Sequence, residues 1–134
     1  MPEKKTIERA RRDAREGKAP STQAGEFVRE EMEHVREGKH GARNTKQAIA
    51  IGLSKARRAG VKLRAPGRGT SRRTRRKAAQ DTRAARRGAG RGTSARRSRA
   101  TMKALRREGR GAASKRALSR QAKSAARRRR RRAA

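Results

Sequence analysis

From Arg64 to its C-terminus the chain carries 28 Lys and Arg but only two acids, Asp81 and Glu108. That segment holds +26 of the total formal charge of +33. Guanidinium and ammonium groups at this density do one kind of chemistry well: they neutralise a polyanion and release its counterions. The expected nucleic-acid contacts begin with Arg68, Arg72, Arg73, Arg75, Arg76 and Lys77, and continue through Arg86, Arg87 and Arg91. Next come Arg96, Arg97, Arg99, Lys103, Arg106, Arg107 and Arg110, then Lys115 and Arg116. The series ends on the unbroken run Arg127, Arg128, Arg129, Arg130, Arg131 and Arg132. Neutralising ~26 phosphates would cover roughly 44 Å of duplex, about thirteen base pairs, with affinity falling steeply as salt rises. The bland alternative is an inert solubilising tail, and a charge this large argues against it.

Sequence-specific readout needs side chains held in a groove by a rigid element, and the composition of this segment offers no such frame. The single aromatic residue, Phe27, sits on an apolar helical face and reads as core rather than as a stacking platform. Arginine can itself stack on bases, so RNA stays open beside DNA, with DNA favoured.

His34 and His40, beside Glu31, Glu33 and Glu37, are the residue types suited to metal ligation. Six residues is not a same-face helical spacing, and Gly38 interrupts the segment between them. Both therefore read as surface histidines, and neither a metal nor another cofactor is expected. The glutamates could imitate paired catalytic carboxylates, but no apolar framework is at hand to raise a pKa. They read instead as a solvated face, or as partners for bases of the next helix and the tail. Hydroxyls are plentiful without a base to activate them. The expectation is a non-enzyme with no small-molecule substrate. There are no cysteines, which removes disulfides and thiolate chemistry.

No apolar run approaches the ~18 residues of a membrane span. The start, Met1-Pro2-Glu3-Lys4-Lys5, is followed by no secretory hydrophobic stretch. Met102, Leu105 and Leu118 are too sparse to form an apolar face for lying on lipid. The expected location is cytoplasmic and nucleoid-associated, with no membrane partner.

The elements that must position these groups divide at residue 63. Residues 1–63 contain ten large apolar side chains after the initiator, among them Phe27, Val28, Met32, Val35, Ile49 and Leu53, against three in residues 64–134. This predicts an all-α chain: a small head of about three short helices that holds the core, and a low-complexity Arg/Ala/Gly tail. A first helix is expected over about 4–16, ended by Gly17. A second runs to Arg36 with Ser21 as its N-cap, its apolar positions Ala24, Phe27, Val28, Met32 and Val35 sharing one face. A third opens at the capping box Asn44-Thr45-Lys46-Gln47 and carries the small-residue ridge Ala48, Gly52, Ala56 and Ala59. It closes at Gly60, with Val61 packing back on its last turn. So small a head could need self-association or a protein partner, through residues 22–63, to stay folded.

In the tail, Gly67-Arg68-Gly69-Thr70-Ser71 recurs as Gly90-Arg91-Gly92-Thr93-Ser94, and more weakly from Gly109 to Ser114. These hinges bound Ser-led Ala/Arg stretches over 71–87, 94–107 and 114–132, each with helical preference. Like charges three and four apart repel, so the tail is expected to be disordered, or helical only on phosphate.

The block from Ser21-Thr22-Gln23-Ala24-Gly25-Glu26-Phe27-Val28 to Gly38-Lys39-His40, with Gln47-Ala48-Ile49-Ala50-Ile51-Gly52-Leu53-Ser54, resembles a poorly characterised family of short bacterial proteins. Such proteins pair a small helical module with a basic tail and are often described as DNA-binding. The tail is similar in charge and composition to bacterial linker-histone-like proteins, with arginine in place of most lysine. The resemblance implies a histone-like, nucleoid-associated DNA-binding protein. An arginine-rich RNA-binding or ribosome-associated protein is the runner-up, and a protamine-like DNA-condensing virion protein is a third reading.

Overall fold

Glycines and capping residues set the helix limits. In the computed structural model, which describes residues 2–67, 69–87 and 95–133, the first three helices are α1 (Lys4–Arg15), α2 (Pro20–Arg36) and α3 (Thr45–Arg58). Gly17, Gly38 and Gly60 follow them with φ of 75°, 77° and 100°. Those left-handed values suit only a residue without a Cβ and turn the chain out of each helix. At the end of α3, Val61 N–H reaches back to the Ala56 carbonyl at 3.0 Å, and its side chain packs on the cluster around Phe27. This is the closure expected there.

Two caps differ from expectation. Ser21 lies inside α2, because Pro20 takes the first helical position, where its missing N–H goes unneeded and its fixed φ is already helical. At α3 the Asn44 side chain accepts from Gln47 N–H at 2.9 Å, as a capping box requires. The Gln47 amide oxygen, however, accepts from Arg43 N–H at 2.5 Å, one residue earlier than the reciprocal bond of that motif.

The second half continues as α4 (Arg72–Arg86), α5 (Ala95–Arg106), a 3-10 turn (Gly111–Ala113) and α6 (Lys115–Ala133). Ser71 caps α4 by accepting from Thr74 N–H at 3.2 Å, and Ser114 caps α6 by accepting from Ala117 N–H at 3.1 Å. Ser94, the third expected cap, lies outside the described residues. The described residues are all-helical, and those of the tail are formed rather than waiting on phosphate: α4 and α6 pack on α3, whereas α5 packs on no other helix and meets the head through the Leu105 carbonyl. The tail's own caps and its contacts with the head outweigh the arginine repulsion that argued for disorder.

Packing explains the docking. The head core is built from α1 on α2 and α2 on α3, and α4 then packs on the far side of α3. At the α2–α3 crossing a Cβ on Gly52 would stand 2.7 Å from Val28 Cα, so the small-residue ridge does permit close backbone approach. One buried cluster joins Phe27, Ala24, Ala10 and Ala56. A second joins Met32, Val35, Ala42 and Ala48 to Ala112 and Ala113, with Leu118 packed against it. The core thus extends past Leu63, contrary to expectation. Alanines from the 3-10 turn fill space that a count of large side chains could not register.

Hydrogen bonds from backbone amides and from two side chains complete the seam between head and tail. Gly41 N–H donates to Leu105 O at 2.8 Å and Ala42 N–H to Gly109 O at 3.0 Å. Thr45 Oγ1 donates to Ala112 O at 2.5 Å, and Arg36 Nε to Ala113 O at 3.1 Å. A Cβ on Gly41 would overlap the Glu108 carbonyl, so only glycine lets the two segments meet.

Candidate nucleic-acid interface

Every expected contact within the described residues is solvent-exposed. Arg72, Arg73, Arg75, Arg76, Lys77 and Arg86 stand on α4, with Arg87 just past its end. Arg96, Arg97, Arg99, Lys103 and Arg106 are on α5, and Arg107 and Arg110 on the connection after it. Lys115, Arg116 and the six terminal arginines line α6. Arg68 and Arg91 lie outside the described residues. Two of these cations also hold the fold together: Lys77 pairs with Asp81 at 2.9 Å, and Arg110 Nη2 donates to Arg36 O at 2.7 Å.

The acids go the other way. Of eleven acidic residues, all of them described, Glu8, Glu16 and Glu37 are exposed, four (Asp13, Glu30, Glu31 and Asp81) are buried, and four (Glu3, Glu26, Glu33 and Glu108) are partly exposed. Asp81, the buried acid of α4, accepts from Ser54 Oγ at 2.7 Å, Arg58 Nε at 2.6 Å and Lys77 Nζ at 2.9 Å. Burial opposes its charge, but those three donors prevail and hold its carboxyl below the ordinary value. Glu30 and Glu31 are 3 % and 0 % exposed, whereas the Glu33 and Glu37 side chains are 38 % and 56 % exposed, so the expected solvated acidic face is formed only in part. Glu31 does pair with Lys55 of the next helix, as one of the expected readings had it. Sequestering carboxylates removes negative potential from the surface and leaves the bases to define it.

Three further bases stand outside the expected set. Arg43, Lys46 and Arg120, with the single acid Glu108, line one open cleft of about 540 Å³ between the start of α3 and α6. The positive end of the α3 dipole faces that neighbourhood, which favours anions. The capping box located the start of α3, but nothing local in the sequence brings Arg120 to it.

The histidines also depart from expectation. His40 is buried, 3 % exposed, and His34 is half-buried. His34 Nε2 lies 3.1 Å from Glu3 Oε1, and the bond from His34, then that from Lys5, lowers the Glu3 carboxyl to about 2. Gly38, expected to separate the two histidines, instead reverses the chain and returns His40 to α2. Their rings meet edge to face with centroids 5.8 Å apart.

Comparison with known proteins gives no match: no family model, no curated protein and no solved structure resembles this chain. No described helix is long and apolar enough to cross a membrane. Phe27, 1 % exposed, is core.

Proposed function

We propose that this chain binds nucleic acid without sequence preference by neutralising phosphates, with duplex DNA as its principal partner and a histone-like, nucleoid-associated role. The observation that carries this reading is the segregation of charge: the described candidate cations are all exposed, whereas four of the eleven acids are buried and four more are only partly exposed. Exposed Lys and Arg attract a polyanion at long range and release its counterions on contact. The packing of α4 and α6 on α3 gives their cations a frame, so they meet the duplex with less ordering cost than a free tail would. The Arg43, Lys46 and Arg120 cleft adds a place for one phosphate to lodge.

The test is a competition between duplex DNA and structured RNA of equal length, with affinity measured over a salt series. The proposal expects a steep linear fall of log K with log salt, equal affinity for unrelated duplexes, and a preference for duplex DNA. Tighter binding to structured RNA at every salt concentration would move the chain to the ribosome-associated reading. A salt-independent affinity would remove nucleic acid as the partner.

A further inference from the structure

We propose that Glu31, His34 and His40 bind one divalent cation of the zinc class. One ligand atom from each of the three lies within 4.8 Å of the others. Glu31 and His34 are three residues apart on α2, a spacing that shares one helix face. His40 arrives from the loop that Gly38 turns back. Zinc–ligand bonds of about 2.0–2.2 Å in tetrahedral geometry place two donor atoms roughly 3.3 Å apart. His40 Nε2 and Glu31 Oε2 stand 3.1 Å apart.

The hydrogen bonds around this pair explain why a cation belongs there. His40 Nδ1 lies 2.9 Å from Gly41 O. A carbonyl can only accept, so Nδ1 carries the hydrogen, and in the neutral ring Nε2 is left with a lone pair. That lone pair meets a carboxylate oxygen, which also only accepts. Apart from His40, which could donate to it only as an imidazolium, no described residue meets Glu31 Oε2, and the two side chains are 2 % and 0 % exposed. Two facing acceptors in a dry interior repel unless a positive charge lies between them. Lys55 does not supply it, because its ammonium is taken up by the other oxygen, Oε1.

The surroundings match a metal site in two more respects. The Gly41 carbonyl behind His40, and the Glu3 carboxylate behind His34, are the kind of partners that fix the tautomer and orientation of ligating imidazoles. A second set, Glu3, Glu30 and His34, shares His34, and Glu30 Oε2 is again buried without a partner. Because His34 meets Glu3 through Nε2, that set lies on the other side of the ring, and the fourth position of the ion falls to water. Two imidazoles and one carboxylate favour zinc, cobalt or nickel over calcium or magnesium, which take all-oxygen sites.

The ion would fix the loop that receives the tail. His40 precedes Gly41 and Ala42, whose amides bond to Leu105 and Gly109. Loading the site therefore tightens the seam between the two halves of the chain, independently of any nucleic acid.

The untagged full-length chain, stripped with a chelator, is titrated with Co²⁺ and followed by visible d–d absorption, then back-titrated with Zn²⁺. Saturation at one equivalent and displacement by Zn²⁺ are expected, with affinity weakened at least about tenfold in His34→Ala and in His40→Ala. Unsaturable binding, or unchanged affinity in His40→Ala, overturns the proposal. Should either variant unfold, ¹⁵N NMR of the wild-type imidazoles decides, since the chain has only two histidines. One equivalent of Zn²⁺ is expected to shift the ring nitrogens of both. Rings that ignore Zn²⁺, with His40 held as an imidazolium, would show that a proton occupies the gap instead.

Discussion

Arg58 Nε lies 2.6 Å from Asp81 Oδ1, so a base of α3 and an acid of α4 share the bond that fixes the first tail helix to the head. Asp81 is 1 % exposed and also accepts from Ser54 and Lys77. Its partners are less buried, so removing the charge leaves them able to reach water. Asp81→Asn should destabilise the fold by about 2 kcal/mol at neutral pH, as judged by urea unfolding.

The same carboxyl sets an acid limit. Its folded pKa lies below its unfolded value of roughly 3.9. Its contribution is therefore present above about pH 4 and is lost as the pH falls through the folded value. The wild type should lose stability faster than Asp81→Asn between pH 4 and pH 2. Parallel losses would remove Asp81 from acid unfolding.

Gly52 and Gly25 make a paired test of packing against propensity. A Cβ on Gly25 meets nothing within 4 Å, whereas one on Gly52 would lie 2.7 Å from Val28 Cα and 2.9 Å from Val28 N. Gly25→Ala should stabilise by about 0.5–1 kcal/mol. Gly52→Ala should destabilise by about 1–3 kcal/mol, because helix α2 must move away. Equal effects would mean that the crossing is looser than this spacing implies.

Gly41→Ala should detach the tail without unfolding the head. The added methyl would meet Glu108 O, breaking the bonds from Gly41 and Ala42 while leaving the Phe27 cluster untouched. Hydrogen exchange should rise in residues 105–118 and in the stretches of α2 and α3 that carry Met32, Val35 and Ala48, which share their cluster with Ala112 and Ala113, and stay unchanged around Phe27. Uniform protection would show that the backbone adjusts.

Replacing Arg127 to Arg132 by alanine should weaken duplex binding evenly across sequences. Six fewer neutralised phosphates, at ~0.9 each, would reduce the slope of log K against log salt by about 5. A reduction near zero would place the six arginines away from DNA.

Local signals in the sequence were reliable where one residue decides a local geometry. Gly60 ends α3, Ser71 and Ser114 cap their helices, and Gly52 marks a close crossing, because each conformation is fixed within a few residues. Burial of charge was not legible in the same way. Glu30, Glu31 and His40 look exposed by type, and only the return of the loop after Gly38 encloses them. The docking of the tail was also hidden, since Ala112 and Ala113 bury little area each and resemble every other alanine in a low-complexity run. Arg43, Lys46 and Arg120 come together only through that docking.

The seam bonds span long stretches of chain. Arg36 and Ala113 are 77 residues apart, and Thr45 and Ala112 are 67 apart. Helical proteins usually rely on local contacts and fold fast, but each of these bonds must close a loop that includes α3, α4 and α5. The head can collapse on its own neighbours early, so the seam is expected to form last. During synthesis, residue 45 emerges well before its acceptor 67 residues later exists, so the nascent head must persist with an unfinished edge until that stretch arrives.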